Sequence, residues 1–217
     1  MKLGLGTTVR CADGAERELA DIVVDAAGPR VTHVVVQPQR RPEAAHLVSL
    51  DIVTENAGGV SLRCTAEMLE SLASVHEHAY LPAGAQPDTG ADWSVGVEDV
   101  FVAPTSAPLG MTEPNLDPNV NLSYDRIPKG EVELRLTSSV YSADKHRVGT
   151  VHAVDVAEDG QIAALALLRG HLWWQREIEV PADAIGSFEN DLVELAVPKR
   201  ELSRFPSRKS RGQAAKS

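Results

Sequence analysis

The chain has 217 residues, 43% of them hydrophobic but only 4% aromatic, and a formal net charge of −10. That length suits one large domain or two small ones, with a core packed mainly by Val, Leu, Ile and Ala. The longest apolar run, IAALALL at 162–168, falls far short of the roughly 18–20 residues a bilayer span needs; Arg10 and Asp13 break the N-terminus before an apolar signal region forms, so a cytoplasmic protein with no transmembrane segment is expected.

In chain order, the first elements are Val-rich runs separated by turn residues: TTVRCADG (7–14), DIVVDAAGPRVTHVVVQ (21–37), HLVSLDIV (46–53) and GGVSLRC (58–64). Runs of this kind predict short β-strands. Cys11 and Cys64 lack zinc-ligand spacing and read as two small reduced core residues, with a bridge between neighbouring first and last strands as the alternative. TAEMLESLASV (65–75) predicts a helix, with Met68, Leu69 and Leu72 at helical spacing. His76 and His78 stand two apart, as two metal ligands in an extended segment could, but no third or fourth ligand is evident and they read as a solvated helix end. Residues 82–130 form a Pro-rich connector, in which VEDVFVAP (97–104) predicts one strand and the rest extended loop.

A second series follows: SSVYSADK (138–145), GTVHAVDVAEDGQIAALALLRG (149–170), EIEVPADAI (177–185) and DLVELAVP (191–198). Asp159-Gly160 between two apolar runs predicts a hairpin, because its turn needs residues tolerant of positive φ. REIEVP places Ile178 and Val180 inward between charged residues, a strand with one wet face. PKRELSRFP (198–206) predicts one helical turn. Pairing Val9 with Val140, Val31 with Ile162, Val48 with Val180 and Leu62 with Leu195 gives offsets of 131, 131, 132 and 133. Nearly constant offsets argue duplication. Four or five strands in so short a half would leave exposed edges unless each sheet curls into a small, closed or nearly closed barrel.

Residues 199–217 carry seven basic residues against one acidic, a balance of +6, which leaves 14 basic and 30 acidic residues, or −16, on residues 1–198. An acidic body disfavours nucleic-acid binding through its main surface. The end of the chain, 207–217, reads as a disordered basic tail that alone could touch RNA or anionic lipid.

The second half resembles a PRC-barrel domain, on Val140, Asp144, Val148, Gly149, Val151, Asp155, Gly160, Gly170, His171, Leu172, Trp173, Val180 and Pro181, with the GHLW…EVP stretch the most specific part. The first half resembles a more diverged copy, and together the two cover about 150 residues of the chain. The fold expected is therefore mainly β: two tandem small PRC-barrel-like β-barrels, each followed by a short helix. The first spans 1–81, the connector 82–130, the second 131–206 and the tail 207–217. The resemblance implies a docking module and carries over neither a photosynthetic nor a ribosomal role.

Adjacent side chains of a strand point to opposite faces, so Trp173 and Trp174 cannot both be buried in one barrel. Either one caps the barrel while the other lies on the surface, or the outward one joins His171, Gln175 and Arg176 in an interaction spot, since Trp and Arg anchor interfaces. His171, Trp173, Trp174 and Arg176 are the partner-binding candidates, together with the groove between the barrels. No Walker loop, nucleophile elbow, HExxH or paired CxxC is present, so no catalytic residue, metal ligand or cofactor is expected. A non-enzymatic adaptor for a protein partner is the functional expectation; the alternative is an RNA- or ribosome-associated maturation factor that uses the basic tail.

Overall fold

The computed structural model describes residues 1–39, 44–56, 58–82, 84–101, 119–170 and 175–209. The chain is mainly β, and three sheets account for its strands. The first half supplies β2 (Thr8–Arg10), β3 (Glu16–Asp25), β4 (Arg30–Gln37), β5 (His46–Ser49), β6 (Val53–Asn56) and β7 (Gly59–Leu62). They lie in the order β5-β4-β3-β2-β7-β6, with β2 and β7 parallel and the other neighbours antiparallel. The second half supplies β12 (Ser139–Tyr141), β13 (Arg147–Val156), β14 (Ile162–Arg169), β15 (Arg176–Pro181), β16 (Ile185–Glu189) and β17 (Leu192–Leu195). Their order, β15-β14-β13-β12-β17-β16, and their one parallel pair, β12 with β17, match the first half. Neither sheet closes on itself among the described residues.

The strands form where the alternation of side chains demands it. Val9 is buried between exposed Thr8 and Arg10, and in β15 buried Ile178 and Val180 alternate with more accessible charges. The predicted Asp159-Gly160 turn is in place, with Gly160 at φ +86°. That turn meets the corresponding turn of the first half: Val31 N–H donates to Gly160 O at 3.0 Å, and Ile162 N–H donates to Pro29 O at 2.9 Å. Around the antiparallel pair Arg30 and Gln161, each of these bonds is the two-fold counterpart of the other.

The two halves also exchange strands. β1 (Lys2–Gly4) lies against β13 of the second half, with Leu3 opposite Val154, while β11 (Glu131–Arg135) lies against β3 of the first, with Leu134 opposite Ile22. Leu3 and Leu134 are wholly buried and belong to one continuous core with Val9, Ile22, Val154, Leu165 and Leu195. Each sheet is thus completed by the leading strand of the other half.

Residues 82–130 are richer in strand than their prolines suggest. β8 (His76–Pro82), β9 (Trp93–Phe101) and β10 (Asn119–Pro128) form a third sheet in the order β8-β10-β9. Pro82 and Pro128 close their strands, where the missing N–H interrupts no ladder. Val75 and Ile127 pack this sheet onto Val23, Val35 and Ala45, on the face of the first sheet that points away from the main core. The guanidinium of Arg126 stacks on Trp93, 4.6 Å from the ring centroid.

Three further segments depart from expectation. The helix predicted over 65–75 is one short turn, α1 (Ala66–Glu70), capped by Thr65 Oγ1 accepting from Met68 N–H. Only Leu69 of its apolar positions is buried; Met68 and Leu72 face solvent, so the spacing has no second surface to pack against. His76 and His78 lie on β8, not at a helix end. Residues 207–209, counted with the tail, form β18 (Ser207–Lys209), which pairs with β15; the turn predicted over 198–206 is a 3-10 helix at Lys199–Arg204. Cys11 and Cys64 are both buried and free.

The exchanged strands predict one cooperative unfolding unit. Leu3→Ala, which empties a fully buried site on β1, should lower the stability of the whole chain by roughly 2–4 kcal/mol in urea denaturation while keeping a single transition. Two separate transitions, with only one half destabilised, would contradict this.

Candidate functional site

Of the expected partner-binding residues, His171, Trp173 and Trp174 lie outside the described residues. Arg176 opens β15 as an exposed residue, in register with Arg169 on β14 and Lys209 on β18. Beside it a cavity of about 540 Å3 is lined by Arg147, Arg169, Gln175 and Lys199, with no carboxylate among its lining residues.

The groove between the halves is larger, about 960 Å3, and of opposite sign. Asp25, Asp51, Glu55 and Glu131 line it beside Glu158 and Asp159 at the hairpin of the second half. Arg30 and the N-terminal amine are the cations among its lining residues, and the amine is already 3.6 Å from Glu55. Within the groove, Thr32 Oγ1 donates to Glu131 Oε2 at 2.7 Å, and His33 Nδ1 lies 3.0 Å from the same hydroxyl and 3.4 Å from the carboxylate. A nucleophile–base–orienter chain uses both imidazole nitrogens. Here hydroxyl and carboxylate meet at one nitrogen, so the trio holds the groove wall and does not build a nucleophile.

A third arrangement was not legible in the sequence. Asp21 on β3, Asp125 on β10 and Glu133 on β11 bring carboxylate oxygens within 4.8 Å of one another, and all three residues are buried. The fold places them there by register: Arg135 stands directly opposite Asp21, and Glu133 opposite Val23, so the outward face of this strand pair is polar just where the third sheet covers it. Glu133 is 0% exposed; its Oε2 accepts from Val97 N–H of β9 at 2.9 Å. Gly96 makes that approach possible, since a Cβ there would sit 2.5 Å from the same oxygen. Asp125 Oδ1 lies 2.7 Å from His76 Nδ1, and His76 Nε2 lies 2.7 Å from Ser123 Oγ. His78 contributes only an edge-to-face ring contact to His76, at 5.3 Å.

Burial and mutual repulsion dominate the electrostatics. Loss of solvent, then the Asp125 charge, pushes the Asp21 carboxyl up to about 7, against a lowering pull from Arg135. Burial, with Asp21 and Asp125 beside it, raises Glu133 well above the usual carboxylate range, although the Val97 N–H opposes this. Arg135 is shared with Asp191, 3.6 Å away. A cavity of about 380 Å3, lined by Gly96, Val97, Arg135 and Asp191 among others, opens on this side of the third sheet.

Compared with protein-family models and with curated proteins, the chain matches none.

The raised carboxyl gives a signed pH dependence. In the unfolded chain Asp21 ionises near 3.8, whereas the folded chain holds the proton to about 7, so its contribution is full below about pH 4 and is lost as pH rises through 7. Asp21→Asn should therefore exceed wild type in stability by roughly 1–4 kcal/mol at pH 8, the difference shrinking toward pH 4, in urea titrations with EDTA present. Parallel pH profiles for the two proteins would contradict this.

Proposed function

We propose that this chain is a non-enzymatic adaptor, built from two PRC-barrel-like halves with open seams, that captures a basic segment of a protein partner in the groove between the halves. The observation that carries this reading is the excess of carboxylates along a groove of about 960 Å3 to which both halves contribute. Oppositely charged surfaces steer association and set which partner fits, more than they add raw affinity. The matching strand orders and the near-constant offsets support duplication of one unit. The Asp21, Asp125 and Glu133 carboxylates are buried between sheets, and the Thr32, His33 and Glu131 trio is tied into the groove wall, which supports binding over turnover at these two places.

The alternative, an RNA- or ribosome-associated role, draws on the cavity lined by Arg147, Arg169 and Lys199 and on the basic end of the chain. Phosphate contacts from these groups would weaken steeply with added salt.

The two readings separate in affinity capture from host lysate, with and without RNase. Glu55→Lys/Glu158→Lys should lose at least nine-tenths of a protein partner that survives RNase, and in fluorescence anisotropy should bind an Arg/Lys-rich peptide at least ~10-fold more weakly than wild type. Deletion of 210–217, which spares β18, should leave both unchanged, and Trp173→Ala/Trp174→Ala tests the remaining candidates. Capture indifferent to groove charge but abolished by RNase and by the deletion would replace the adaptor reading with the RNA one.

A further inference from the structure

We propose that Asp21, Asp125 and Glu133 form a binding site for one hard divalent cation of the calcium, manganese or magnesium class, held between the sheet of the first half and the three-stranded sheet. The site is separate from the groove and does not depend on the adaptor reading.

Three observations converge on this site. First, the donor set is all oxygen and comes from three different strands, β3, β10 and β11, with the oxygens within 4.8 Å of one another. Carboxylates around a cation at about 2.0–2.6 Å span separations of this size, and an all-carboxylate set selects hard ions over zinc or copper. Second, Glu133 Oε1 has no hydrogen-bond partner among the described residues, on a side chain that is 0% exposed. Its sister oxygen is turned to Val97 N–H on β9, which leaves Oε1 as a buried acceptor with no donor on a carboxylate that lies beside two others. A buried acceptor without a partner is costly, and a cation coordinated to it removes that cost.

Third, the surrounding charges leave room for a dication. Arg135 stands opposite Asp21 and is also 3.6 Å from Asp191, so one guanidinium serves the cluster and a further carboxylate; His76 stands behind Asp125, its two ring nitrogens already engaged by Asp125 and Ser123. A histidine in that position orients a carboxylate from the second layer around a metal.

The competing occupant of the cluster is a set of shared protons, and the experiment distinguishes the two. Full-length protein stripped with EDTA and dialysed at pH 8 is titrated with MnCl2 by calorimetry, with thermal melts in MnCl2, CaCl2 and MgCl2 alongside. One Mn2+ per chain and a Tm raised by several degrees are expected, because an ion that binds only the folded state stabilises it. Glu133→Gln and Asp125→Asn should each weaken Mn2+ binding at least ~10-fold, whereas Glu67→Gln and Glu189→Gln, on exposed side chains elsewhere, should not. Should a cluster variant fail to fold, anomalous scattering from Mn2+-soaked crystals of the unaltered protein locates the ion directly, with a peak expected between the three carboxylates. No saturable binding of any of the three ions, equal affinity in Glu133→Gln, or an anomalous peak only at other positions overturns the proposal and leaves protons as the occupant.

Discussion

The exchange of first strands is the constraint on which the rest of the structure depends. β1 completes the sheet of the second half and β11 completes that of the first, so neither half is whole by itself. Small domains bury a low fraction of their surface and are marginal in isolation. Two such units that share one core, joined through Leu3 and Leu134, escape that limit without disulfides or a large aromatic content. The meeting of the two hairpin turns at Arg30 and Gln161 fixes the halves about a local two-fold, and the groove is lined from both sides of that junction.

The third sheet follows from the same geometry. Once β11 is laid along β3, the outward face of that pair carries Asp21, Glu133 and Arg135. β10 and β9 then cover this face, with Val75 and Ile127 supplying the apolar contact and Gly96 the space for a carboxylate. A polar cluster is thereby enclosed beside a small apolar one. Enclosure of this kind is tolerated only where the charges find partners, whether protons, cations or hydrogen-bond donors.

What the sequence discloses and what it hides divide along the range of the interactions. Strand positions in both halves were legible because strands such as β15 bury one face and record it as the alternation of Ile178 and Val180, while β3, β4 and β14 read as short apolar runs bounded by turn residues. The Asp159-Gly160 turn was legible because a positive φ selects its residues. The third sheet was hidden because its prolines look like loop punctuation until Pro82 and Pro128 are seen to sit at strand ends. Arg176 could be singled out as an exposed strand residue. The carboxylate cluster could not be, since Asp21 and Glu133 each look like the wet position of an alternating strand. Only the pairing of β11 with β3 and the covering by β9 and β10 remove their water. The one available sign was an acidic residue inside an apolar stretch, LADIVV, and edge strands carry inward-pointing charges as well.

The exchange also bears on how such a chain comes off a ribosome. The N-terminal amine of Met1 donates to Val156 O at 2.8 Å, a partner 155 positions away. Synthesis runs from the N-terminus, so β1 emerges long before β13 and must stay unpaired until β13 has been made. β3 likewise has a vacant edge until β11 arrives. Contacts this distant in sequence slow folding and prolong the exposure of sticky edges. Glu16, Arg17, Glu18, Asp21 and Asp25 along β3 are charges of the kind that guard a strand edge against mispairing while its partner is still missing.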